Sequence, residues 1–326
     1  MDAARTVSQA LDTLMDRAVV PGYSTIGIRV RRRLPTWPDD PPADALTGQN
    51  VLVTGASSGL GAQCVADLAA LGAHVHLVVR DVQKGQRVAD RIPAPAGTTV
   101  WRCDLSDLDS VAELAESLLA LGQPLTGIVH NAGVMPPERA ESPQHHEVSL
   151  AVHVLGPVAL TERLRPLLRG QDARVVLVTS GGMYAQPLPL DDLEYERELY
   201  RPATAYARSK RVQVALLPTL QERWGADGVR VYGMHPGWAD TPGVTESLPR
   251  FATVMGPVLR PTGQGADTTG WLLATPHPPP GGGLWHDRRE RPTDYSSRTR
   301  TSAEERRRLW EWVSNAARVN AVEEAS

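Results

Sequence analysis

From residue 50 onward, short apolar runs alternate with stretches in which apolar residues recur every three or four positions. The runs at 51–54, 75–79, 98–103, 127–130, 174–179 and 229–234 are largely continuous in aliphatic residues, as strands are when both faces of their sheet are covered. Between them, 60–71, 82–92, 111–121, 144–168 and 205–224 carry helical periodicity. Strict alternation of the two patterns predicts βαβ units, hence an α/β fold built on a doubly wound parallel sheet with helices on both faces. The chain divides accordingly into an N-terminal extension and linker (1–46), a single domain (47–292) and a C-terminal tail with a short helix (293–326).

The flanks follow other rules. A weakly amphipathic segment carries Leu11, Leu14, Met15 and Val19, then comes a basic run, Arg31, Arg32 and Arg33, and then a proline-rich linker at 35–42. The expectation is a short helix packed on the domain and a solvated charge run; a membrane-surface anchor is the alternative. In the tail, Ser302 and Glu305 form a capping-box pattern ahead of Leu309, Trp310, Trp312 and Val313, predicting a helix that covers the domain or a partner subunit.

Composition narrows the class. A hydrophobic share of 41%, a charged share of 22% and a net charge of −3 are those of an ordinary globular protein, without the basic excess of a nucleic-acid partner. The two cysteines, Cys64 and Cys103, lack a CxxC neighbour and read as buried free thiols in a reducing compartment. There is no apolar run long enough for an integral membrane segment, and residues 1–10 lack the order of a secretory signal, so a cytoplasmic location is expected. No metal site is expected, because the adjacent His145 and His146 face different directions.

Candidate chemistry begins after the first strand, at Thr54-Gly55-Ala56-Ser57-Ser58-Gly59-Leu60-Gly61, directly before a helical pattern. Glycines there let the backbone turn sharply and approach a pyrophosphate, whose charge suits the N–H groups at a helix start. Downstream, Tyr206-Ala207-Arg208-Ser209-Lys210 lies in a helical pattern, so its Tyr and Lys share a face. A nearby ammonium would favour the phenolate of a residue whose free pKa is near ~10. Ser180 follows the fifth predicted strand, at the sheet end where such folds bind ligands.

The TGxxxGxG spacing at 54–61, the YxxxK pair at 206–210, Asn131-Ala132-Gly133 after the fourth strand and Pro236-Gly237 after the sixth together resemble the short-chain dehydrogenase/reductase family. The run His235-Pro236-Gly237-Trp238-Ala239-Asp240-Thr241-Pro242 and the GQGADT at 263–268 resemble one branch of it, the dehydrogenase/reductase SDR family member 12 group. The resemblance implies a Rossmann-type fold. It also implies a nicotinamide dinucleotide held by Gly55, Ser57, Ser58, Gly59, Leu60, Gly61, Asp104, Leu105, Asn131, Ala132, Gly133, Tyr206, Lys210, Pro236, Gly237 and Thr241. Ser180, Tyr206 and Lys210 would be catalytic, with His153 where the family carries an Asn; His130 likewise departs from the usual NNAG. Because Pro157 has no N–H, the carbonyl of His153 loses its helical partner, which would preserve the family's water link to the lysine. Self-association is implied by resemblance only.

For the cofactor, Val79 stands where NAD-selective relatives place a carboxylate, and Arg80 could grip a 2′-phosphate with its planar fork. NADP(H) is therefore expected, while Asp81, one residue on, keeps NAD(H) open. Met183, Tyr184, Leu188, Trp238 and the segment 244–259 would line the substrate side, which favours a hydrophobic carbonyl or alcohol. The competing reading is a nicotinamide-binding regulatory or scaffold protein with weak or lost catalysis, motivated by His130 and His153.

Overall fold

The structure, a computed structural model, describes residues 2–241, 253 and 255–319. Its eight strands are β1 (Asn50–Thr54), β2 (His74–Val79), β3 (Thr98–Arg102), β4 (Gly127–His130), β5 (Arg174–Val178), β6 (Arg230–Met234), β7 (Leu284–His286) and β8 (Arg289–Arg291). They form one sheet in the order β3-β2-β1-β4-β5-β6-β7-β8, parallel except for β8. The six predicted strands are all present. The other two are too short for a periodic signal and follow the glycines at 281–283.

Helices α1 (Asp2–Arg17), α2 (Val19–Tyr23) and α3 (Thr25–Arg31) precede the sheet, and α4 (Gly59–Ala70), α5 (Val82–Ala89) and α6 (Leu108–Leu121) connect its first strands. After β4 come α7 (Val148–Leu150), one π-helical turn (Ala151–Leu155) and α8 (Gly156–Leu168). Then follow α9 (Pro202–Gly225), α10 (Thr262–Ala274) and α11 (Ala303–Ala316). Because side chains alternate across a strand, Leu52 of β1 enters the core beneath α6, α8 and α9, whereas Val51 and Val53 enter the one beneath α4 and α10. Strand order reverses between β1 and β4, which opens a crevice at their carboxyl ends.

The tail covers the domain itself. Leu309 and Val313 are fully buried in the α6–α8–α9 core, and the predicted capping box forms, with Glu305 N–H on Ser302 Oγ and Ser302 N–H on Glu305 Oε2. Buried Arg211 of α9 donates to the carbonyls of Thr293 and Thr299, tying down the connecting segment.

The N-terminal extension departs from expectation. Helix α1 turns Ser8, Asp12, Met15 and Asp16 inward and leaves Leu11 and Leu14 exposed, as is Val19 at the start of α2, so most of the predicted packing stripe faces out. Arg31, expected in solvent, is 2% exposed. Its guanidinium meets Asp12 at 2.6 Å and Asp287 at 2.6 Å, and Arg291 meets Asp12 at 2.8 Å. Arg260, also buried, meets Asp287 at 2.6 Å. Charge pairing, together with burial of Met15, Tyr23 and Ile28, docks this segment. Burial pushes the Asp287 carboxyl up, but its charged neighbours, Arg260 and Arg31 among them, outweigh that and hold it well below the ordinary range.

Asp287→Asn would leave two buried guanidiniums short of a counter-charge and should cost about 3–5 kcal/mol in denaturant unfolding. Since the native carboxyl pKa is depressed, the wild-type advantage should be complete above about pH 4 and shrink as pH falls below it. A pH-independent difference between the two proteins would contradict this account.

Candidate active site

The turn after β1 is shaped by close backbone approach. Gly55 has φ +64, and a Cβ there would lie 2.7 Å from Cα of Ala132; at Gly61 it would lie 2.2 Å from the Gly55 carbonyl and 2.5 Å from Asn131 Nδ2. Thr54, fully buried, accepts at Oγ1 from the N–H groups of Asn131 and Ala132, both at 3.1 Å. Asn131 Nδ2 in return donates to the carbonyls of Thr54 and Gly55 at 3.1 and 3.3 Å. The ends of β1 and β4 are thereby clasped. Ser57, Gly59 and Leu60 are half-buried, Ser58 is exposed, and α4 starts at Gly59 with its N–H groups directed at the crevice. Thr54 as a brace was not among the sequence candidates, although it opens the motif.

Along the same edge, Arg80 is exposed just after β2 and has no hydrogen-bond or ion-pair partner among the described residues. Asp81, its rival, caps α5 by accepting from Lys84 N–H at 3.0 Å. Asp104 Oδ1 accepts from the N–H and hydroxyl of Ser106, holding the turn after β3, while Leu105 is buried with its carbonyl against Gly156. His130 faces away from the crevice: its Nε2 meets Thr161 Oγ1 of α8 at 2.8 Å, and burial lowers its pKa to about 3. The NNAG departure therefore falls on a packing position, while Asn131, Ala132 and the exposed Gly133 follow it at the strand end.

Ser180 sits after β5, and its Oγ accepts from Gly182 N–H. Half-buried Tyr206 approaches it from α9: burial raises the phenol to about 12, and the nearby Ser180 hydroxyl works against that rise. Lys210, one turn along, is 2% exposed, and its Nζ donates to the Val178 carbonyl at 2.8 Å and lies 5.6 Å from the Tyr206 ring centre. Burial lowers it to about 7. The expected lowering of the phenol by the ammonium is thus not what this arrangement gives. Desolvation of both groups dominates, and Lys210 points at a strand carbonyl.

His153 occupies the π-helical turn. With no N–H on Pro157 the α-helical ladder is interrupted, and Gly156 N–H donates instead to the Ala151 carbonyl, five residues back. The carbonyl of His153 is freed as predicted, but Gln213 Nε2 takes it at 2.5 Å, so a side chain stands where the resemblance implies water. The fully buried imidazole accepts Val134 N–H at Nε2 (3.0 Å), which fixes the proton on Nδ1 and makes it the donor to Ser209 Oγ at 2.7 Å. Ser209 donates onward to the Tyr206 carbonyl. Burial, with Lys210 nearby, keeps the ring neutral, and it packs edge-on to Tyr206 with ring centres 5.2 Å apart. His153 braces α9 against the segment after β4. Ser209 and Gln213 were missed by sequence reasoning, though their spacing of three and seven from Tyr206 put them on its side of the helix.

On the side expected to face substrate, the Tyr184 hydroxyl donates to the Pro292 carbonyl at 2.7 Å, which commits its proton to the backbone, and burial raises its pKa. Met183, predicted to line the pocket, is instead fully buried, because the 3₁₀ turn Gly181–Ala185 rolls it into the core, where Arg211 meets its sulfur. Leu188 is half-buried against the same core. Trp238 is half-buried after β6, and the turn at Pro236 and Gly237 is gripped by Arg260, which donates to the Pro236 carbonyl. Thr241 is half-buried beside it. Of the predicted 244–259 lining, residues 244–252 and 254 lie outside the described residues. An unforeseen support behind this turn is Tyr23 of α2, which is itself buried. Its carbonyl accepts Trp238 N–H at 2.8 Å, and its ring lies 4.7 Å from that of His235 and within contact of Gly181.

Comparison with known proteins agrees with this geometry. A profile of the family described as "short chain dehydrogenase" matches residues 49–190. The Bos taurus protein "Dehydrogenase/reductase SDR family member 12" is 36% identical over 290 residues, 86% of this chain and 90% of its own. An uncharacterised protein of Mycobacterium Paratuberculosis superposes with a TM-score of 0.69 at 28% identity, over 86% of this chain and 96% of that one. A metagenomic short-chain oxidoreductase solved in complex with NADP gives 0.55 at 26% identity, over 73% and 96%.

Gly61→Ala should force the Gly55 carbonyl or Asn131 out of place. NADPH affinity, followed by fluorescence titration, is expected to fall about tenfold or more. Unchanged affinity would show that the clasp does not shape the crevice.

Proposed function

Given that the chain belongs to the short-chain dehydrogenase/reductase family and is an NAD(P)-dependent oxidoreductase, we propose that it interconverts a hydrophobic carbonyl compound and its alcohol with NADP(H), using Tyr206 as acid/base. The observation that carries the reading is that the Tyr206 phenol and Ser180 come together after β5, with Lys210 one helical turn along, on the same sheet edge as the glycine cradle after β1. The cradle fits a dinucleotide, since the contacts at Gly55 and Gly61 leave no room for side chains and the start of α4 offers free N–H groups. When bound, nicotinamide supplies or accepts the hydride. Gly55, Ser57, Ser58, Gly59, Leu60 and Gly61 would hold the diphosphate, and Asp104, Asn131 and the Pro236–Gly237 turn the remainder. Arg80, exposed and uncommitted while Asp81 is spent on a helix cap, supports a 2′-phosphate at the end of β2.

In reduction, Ser180 holds the substrate oxygen and Tyr206 donates its proton as negative charge develops there. In oxidation the phenolate takes the proton back. Lys210 contributes positive charge beside the phenol below about pH 7, where its ammonium is populated. Half-buried Tyr184 and Trp238 give the substrate side an aromatic character, which supports an apolar substrate. The departures at His130 and His153 are both explained by packing and bracing contacts, which favours an active enzyme over a scaffold.

Loss of NADPH absorbance with a panel of hydrophobic ketones and aldehydes tests the activity. Tyr206→Phe is expected to slow turnover by ~10²–10⁴ with cofactor affinity unchanged; full activity in that variant would refute the assignment. Arg80→Ala should weaken NADPH binding by about tenfold while leaving NADH binding as it was. With the phenol held near 12, reduction should gain nothing from rising pH, whereas oxidation, which needs the phenolate, should climb from neutral into the alkaline range. Initial rates in both directions across that range decide the point.

A further inference from the structure

In α1, Ser8, Asp12 and Asp16 face inward, where the two carboxylates answer Arg31 and Arg291, so the apolar residues are left outside. Val7 and Leu14 are 67% and 65% exposed, and Leu11 lies between them on the same stripe. The next two helices continue the pattern with Val19, Val20 and Ile26, at 46%, 53% and 52%. Elsewhere, exposed large apolar side chains are scattered singly or in pairs over the described residues.

Within this segment the exposed charges of the described side chains have one sign. From residue 6 to residue 33 the exposed ionic side chains are Arg17, Arg29, Arg32 and Arg33, while the acidic ones, Asp12 and Asp16, are buried. Arg32 pairs with Asp267; Arg17, Arg29 and Arg33 make no ion pair among the described residues. In a chain of net charge −3, a cationic rim around an apolar face is a local surplus. Apolar side chains at the acyl boundary and arginines at anionic headgroups together satisfy such a surface, whereas a second copy of the face would bring arginines against arginines.

We infer that the outer face of α1–α3 docks the protein on the surface of an anionic lipid bilayer. No helix among the described residues is long and apolar enough to cross one, so the attachment is peripheral. The docking face and Tyr23, which packs against His235 and Trp238 after β6, belong to the same short segment. Vesicle binding is read without turnover, so the inference stands or falls apart from the proposed reaction.

The full chain should co-sediment with vesicles of equimolar phosphatidylcholine and phosphatidylserine, and bind pure phosphatidylcholine about tenfold or more weakly. High salt should weaken the first interaction. The double variant Leu14→Glu/Val20→Glu, at exposed positions, should lose binding while keeping its circular dichroism spectrum and NADPH affinity. Arg17→Glu/Arg29→Glu should remove the preference for the anionic vesicles. Absence of wild-type binding, equal binding to both vesicles, or undiminished binding by the folded Leu14→Glu/Val20→Glu protein overturns the inference. So does a dimer that this variant splits, with no vesicle binding.

Discussion

A guanidinium sealed from water must be ringed by acceptors, and Arg260 meets that requirement by drawing three distant parts of the chain to one point. It donates to the carbonyls of Gly22 and Ser24 from the N-terminal segment, to Pro236 after β6, and to Asp287 between β7 and β8. The turn against which a nicotinamide would lie, the segment that carries the buried ring of Tyr23 and the last parallel strand are thus fixed by a single charge. Loss of any one acceptor leaves the others to answer for the whole of it. The extension is accordingly part of the site's scaffolding, although it lies outside the βαβ frame.

Burial sets the protonation chemistry. Tyr206 and Lys210 share a dry crevice that opposes the charged form of each, so the resting pair is a neutral phenol and an ammonium held close to losing its proton. The brace from Val134 through His153 and Ser209 to the backbone of Tyr206 then fixes where that phenol stands. An asparagine side chain is shorter than imidazole, and the residue found here spans from the segment after β4 to α9 while carrying no charge of its own.

The parallel sheet, the glycine turn and the Tyr–Ser–Lys grouping were legible because each is a local pattern: continuous apolar runs, a spacing of glycines, residues four apart on a helix. What escaped depends on pairings across hundreds of residues. Arg31 looked like a solvated charge because nothing near it in sequence announces Asp287, and Leu11 and Leu14 looked like a packing stripe because apolar periodicity does not say which way a helix turns when carboxylates have the stronger claim inside. Met183 was misplaced for a smaller reason, since a 3₁₀ turn rotates successive side chains differently from the strand end that precedes it. The place of Gln213 on the His153 carbonyl required knowing that α9 crosses the π-helical turn.

The contact between Arg31 and Asp287 closes a loop of 256 residues. During synthesis α1–α3 emerge long before β7 and β8, with Arg31 already able to meet Asp12 while their further partners, Asp287 and Arg291, do not yet exist. Closing so wide a loop costs entropy that only a nearly finished sheet can offset. The segment made early therefore completes its charge pairing only once β7 and β8 are in place, and the packing of Tyr23 behind the turn after β6 waits on a part of the chain more than two hundred residues away.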